Sequence, residues 1–71
     1  MEILVFKTSV RSEQHVNNLE PLLNAVSGSG AWSFDLEDRD SVLRIESENN
    51  ISGDVIELVR KEGFVCEEMA D

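Results

Sequence analysis

A chain of 71 residues makes one domain, close to the smallest size at which a core holds without disulfide or metal staples. With 41 % hydrophobic and 30 % charged residues, its composition is that of a folding chain and argues against disorder. The 15 acidic residues against 6 basic ones leave a net charge of −9, which repels phosphate backbones and anionic lipid. That argues against nucleic-acid and membrane partners and favours a cation or a basic protein partner.

The one cysteine, Cys66, excludes an internal disulfide framework and any site built from several thiolates of one chain. The opening Met1-Glu2-Ile3-Leu4-Val5-Phe6-Lys7 has an apolar run of only four residues behind an acidic second position. It fits neither a signal peptide nor a membrane span, so a reducing cytoplasm is the expected location.

Taken in chain order, residues 3–8 are dense in apolar and β-branched side chains and predict a strand. Alternation puts Leu4 and Phe6 on one face and Ile3 and Val5 on the other, and two apolar faces suit a central strand. Over residues 13–26, Val16, Leu19, Leu22, Leu23 and Val26 recur at helical spacing, with Ser12 placed to cap the first turn. Pro21 lies inside that helix and predicts a kink. Ser27-Gly28-Ser29-Gly30 is a flexible connection.

Trp32, Phe34 and Leu36 alternate with Ser33 and Asp35 as a half-buried strand. The turn Glu37-Asp38-Arg39-Asp40-Ser41 leads to a return strand over 42–47, with Leu43 and Ile45 inward. Its carboxylates lack the glycine and closing glutamate of a calcium loop, so a solvated hairpin tip is expected. Ser52 is the expected cap of a second helix, with Val55, Ile56 and Val59 buried, Leu58 at the margin, and Arg60 and Lys61 in the last turn. Gly63 is the natural residue just past its end. A last strand over 64–69 has Phe64 and Cys66 inward, Val65 and Glu67 outward. The order strand, helix, strand, strand, helix, strand predicts an α+β, ferredoxin-like βαββαβ sandwich, with a four-stranded antiparallel sheet and two helices on one face.

That layout, with Phe6-Lys7-Thr8-Ser9 opening the first loop and Pro21-Leu22-Leu23-Asn24 continuing the helix, resembles the heavy-metal-associated domains of small copper chaperones and metal-transporting ATPases. Trp32 with Asp35, and Glu62-Gly63-Phe64, resemble the same family further on. The likeness spans almost the whole chain but lacks the family's Cys-x-x-Cys. The positions that the resemblance assigns to those two metal-binding cysteines hold Ser12 and His15.

This departure governs the chemistry. Monovalent copper prefers thiolates, whereas a serine hydroxyl is a poor ligand and one imidazole suits zinc or divalent copper but is insufficient alone. Cys66 is the sole thiol that could join His15, and two His15 rings across a dimer are the other route to a second ligand. The resemblance thus implies a non-enzymatic metal-chaperone-like domain in which zinc or copper binding is weak, altered or lost, with Ser12, His15 and Cys66 as candidate ligands. Ser12 and His15 could approach one another, but a hydrolase also needs an orienting acid and an oxyanion hole, and so short a chain leaves little room for a cleft. The alternative is a degenerate domain serving as an interaction or homodimerisation module. Its candidate surface is the sheet face without helices, where Ile3, Val5, Val42 and Val65 are expected inside a polar rim.

Overall fold

A computed structural model of the chain describes residues 2–28 and 31–69. Strand β1 (Glu2–Thr8) leads into helix α1 (Glu13–Ser27), then β2 (Trp32–Asp35), β3 (Val42–Ser47), α2 (Ser52–Lys61) and β4 (Cys66–Glu68). The sheet order is β2-β3-β1-β4 and every pairing is antiparallel. This is the expected α+β, ferredoxin-like arrangement, and β1 is indeed central.

Alternation builds the core. Leu4 and Phe6 lie opposite Ile45 and Leu43, and all four point toward the helices. Leu19 and Leu23 from α1, Val55 and Val59 from α2, and Cys66 from β4 complete the fully buried cluster. Val10, in the first loop, is also fully buried, although its place between strand and helix carries no periodicity that would single it out. Ile56, expected inside, is only half-buried.

The helix ends follow local chemistry. Ser12 caps α1, its hydroxyl accepting the His15 amide at 3.2 Å. The helix passes through Pro21 as one continuous element, with the proline on its exposed side. Gly28 ends it at φ 76°, a left-handed conformation that costs glycine nothing. Ser29 and Gly30, expected in the same connection, lie outside the described residues.

Ser52 is not the cap of α2. That position is Ile51, and Asn50 Oδ1 instead receives both the Ser52 amide (3.0 Å) and the Ser52 hydroxyl (2.7 Å). An asparagine two residues upstream can form this local turn and so displaces the serine from the capping role. At the other end, Gly63 (φ 95°) donates to Arg60 O and Phe64 donates to Val59 O, the paired bonds of a Schellman stop. The final strand is shorter than expected, because its pairing with β1 covers only Thr8, Lys7 and Phe6. Phe64 and Val65 are held instead by the helix stop and by the first loop.

Candidate functional site

The first loop is fixed from three directions. Ser9 exchanges two bonds with Val65, its amide donating to Val65 O (3.2 Å) and its hydroxyl accepting the Val65 amide (2.8 Å). Val10 anchors its side chain in the core, while its amide donates to Thr8 Oγ1 at 3.2 Å. Ser12 then closes the loop as the α1 cap.

Thr8 also ties this loop to the acidic hairpin turn. Its amide donates to Asp40 O (2.9 Å) and its hydroxyl donates to Ser41 O (2.6 Å). The turn carboxylates serve the turn itself: Asp35 Oδ1 accepts the Asp38 amide and Asp38 Oδ1 accepts the Asp40 amide. Among the described residues, no group of three or more His, Cys, Asp or Glu side chains is arranged to hold a metal ion. The roles of Thr8, Val10 and Ser41 escape a reading by pattern, because Thr8 and Ser41 meet across 33 positions of chain.

Ser41 is the strained point of this junction. It is fully buried, has φ 45°, and its hydroxyl has no hydrogen-bond partner among the described residues. A left-handed serine and an unpaired buried hydroxyl each cost about 1 kcal/mol, more than the extra chain entropy of a glycine. Ser41→Gly should therefore stabilise the domain by about 1 kcal/mol, read as a higher urea midpoint at unchanged slope. An unchanged or lower midpoint would show that the serine is not strained.

The candidate ligands are brought together only in part. Ser12 and His15 share the first turn of α1, but the Ser12 oxygen already accepts a backbone amide. The exposed His15 ring lies on Phe64, ring centroids 5.0 Å apart and planes at 57°. Cys66 sits opposite Thr8 with its side chain fully buried. Burial pushes its thiol up to about 11, with Arg60 pulling the other way and Glu67 adding to the rise. A thiolate ligand is thus disfavoured. As folded, this set does not fit a soft metal: it offers one accessible imidazole, one committed hydroxyl and one protonated, enclosed thiol.

The helix-free face carries the expected apolar positions. Ile3 and Val65 are each 51 % exposed, while Val5 and Val42 are half-buried. Around them, Ile3 lies opposite Glu46, Val5 opposite Arg44, Asp35 opposite Val42, and Lys7 opposite Glu67. Both charge signs therefore alternate around an apolar centre. No helix among the described residues is long and apolar enough to cross a membrane.

Compared with protein-family models, with curated proteins and with solved structures, the chain matches none.

Proposed function

We propose that this chain is a non-enzymatic domain of the heavy-metal-associated type whose first loop is ordered by protein contacts in place of metal. Metal binding is reduced to weak capture of zinc or divalent copper by His15. The observation that carries this reading is the state of the three candidate ligands: a capping Ser12 hydroxyl, a lone exposed His15 ring, and a buried neutral Cys66 thiol. A cytoplasmic setting accords with the free thiol. The second reading, an interaction or homodimerisation module, is favoured by the open sheet face, where Ile3 and Val65 expose half their surface.

Amide NMR titration with zinc, then with monovalent copper under reducing conditions, tests the first reading. Zinc should give weak, fast-exchanging shifts confined to residues 12–16 and lost in His15→Ala. Monovalent copper should leave Cys66 unmoved. Tight, saturable copper binding with shifts at both His15 and Cys66 would overturn the proposal and restore a working metal site.

A further inference from the structure

Three buried side chains stand in one row across the sheet, at the end where the first loop meets the hairpin turn. Cys66 is the register partner of Thr8 on one side. On the other, carrying the β1–β3 register two residues past Phe6–Leu43 brings Ser41 to Thr8, and the Thr8 hydroxyl reaches Ser41 O at 2.6 Å. Val10, two residues further along the loop, is held back against Thr8 by its amide and belongs to the same buried cluster as Cys66.

This end of the core closes against a penalty. Ser41 holds φ 45°, and its buried hydroxyl finds no partner among the described residues. Both penalties vanish once the turn separates from Thr8, because the serine then relaxes to negative φ and its hydroxyl meets water. Little holds the junction shut in return. Thr8–Cys66 is the last of only three β1–β4 pairs, and the side-chain bonds that shape the turn, at Asp35 and Asp38, are exposed. The central pairs Leu4–Ile45 and Phe6–Leu43 are buried and carry no such strain. Free energies of local opening differ across a domain in this way, lowest where buried contacts are few.

We propose that the first loop (residues 8–11) and the hairpin turn (residues 38–41) form a latch that opens as one unit while the rest of the domain stays folded, and that this opening is the route by which solvent reaches Cys66. The turn leaves Thr8, breaking the bonds to Asp40 O and Ser41 O. Val10 then swings out of the core about Ser9, which stays pinned to Val65 by its two bonds. The latch makes access to a buried thiol depend on a strained serine in a distant turn. It goes beyond both functional readings, since it needs neither a bound metal nor a partner.

The test labels Cys66 of the whole chain with the aromatic disulfide dithiobis(nitrobenzoate), at one fixed pH and at urea concentrations below the unfolding transition. The Cys66 sulfur gives its proton to solvent and forms a mixed disulfide, while the S–S bond of the reagent breaks and one thionitrobenzoate anion leaves to be read by its absorbance. Labelling should run about tenfold or more faster than the globally unfolded fraction allows, with a urea slope well below that of unfolding, because little surface is exposed. The Thr8 and Val10 amides should exchange with the same opening constant. Ser41→Gly should slow the labelling about fivefold. Val26→Ala, at the far end of α1, should lower global stability and leave the labelling unchanged. Labelling that carries the full urea slope and quickens with Val26→Ala would overturn the latch, since the thiol would then be reached only by global unfolding. Labelling unmoved by Ser41→Gly, or out of step with the two amides, would overturn it as well.

Discussion

Replacing Thr8 by valine should cost the domain about 2–4 kcal/mol, although the two side chains have nearly the same shape. The hydroxyl is both donor and acceptor: it donates to Ser41 O and accepts the Val10 amide. Ser41 and Val10 are fully buried, so water cannot replace the lost partner at either. Each orphaned group carries its desolvation penalty of about 1–3 kcal/mol, while burying a methyl in place of the hydroxyl recovers some of it. A domain of this length is stable by roughly 4–10 kcal/mol. Thr8→Val should therefore lower the urea midpoint by about a fifth or more at unchanged slope, whereas Thr8→Ser, which keeps the hydroxyl, should lose less. Hydrogen exchange at the Val10 amide should also accelerate selectively, since its acceptor is gone. A valine variant within 0.5 kcal/mol of the parent, an experimental margin of about the size typical of surface changes, would show that the hydroxyl does not hold loop and turn together.

The same residue shows where sequence reading succeeds and where it stops. Two-residue alternation places Leu4, Phe6, Leu43 and Ile45 in the core, and helical spacing places Leu19, Leu23, Val55 and Val59 there, as the structure has them. Both periods are local, and both report which face is buried. Ser12 and Gly63 were also legible, because a cap or a helix stop depends on residues three or four positions away. Ser52 is misassigned within the same range, since Asn50 Oδ1 accepts both its amide and its hydroxyl and draws that hydroxyl away from the helix amides it would cap.

Thr8 and Ser41 were illegible for a different reason. A threonine at a strand end and a serine in an acidic turn both have ordinary solvated roles, and only the pairing of distant segments buries them together. Of the candidate ligands, the proximity of Ser12 and His15 and the inward aim of Cys66 could be read from spacing. Their commitment to other contacts could not, because it depends on Phe64 meeting His15 and on how deeply β4 is covered.

Cys66 should give the domain an alkaline limit. Its thiol is raised from an ordinary value near 9 to about 11, first by burial, with Arg60 opposing and Glu67 adding. The folded state thus holds this proton more tightly than the unfolded chain does. Stability contributed by the neutral thiol is fully present below about pH 8.5 and declines as pH rises through 9 toward 11. The loss should reach about 2–3 kcal/mol once both states are ionised. Urea unfolding across this range, compared with Cys66→Ala, isolates the effect, because the two proteins differ only in that side chain. The alanine variant should be less stable near neutrality, where it has lost a buried side chain, and the gap should narrow as pH rises. Parallel curves would mean the folded thiol ionises as easily as the unfolded one. The profile bears on metal chemistry as well, since copper ligated by Cys66 must displace its proton and would flatten the alkaline decline. Monovalent copper under reducing conditions should leave the decline in place, as expected of a thiol that serves the core.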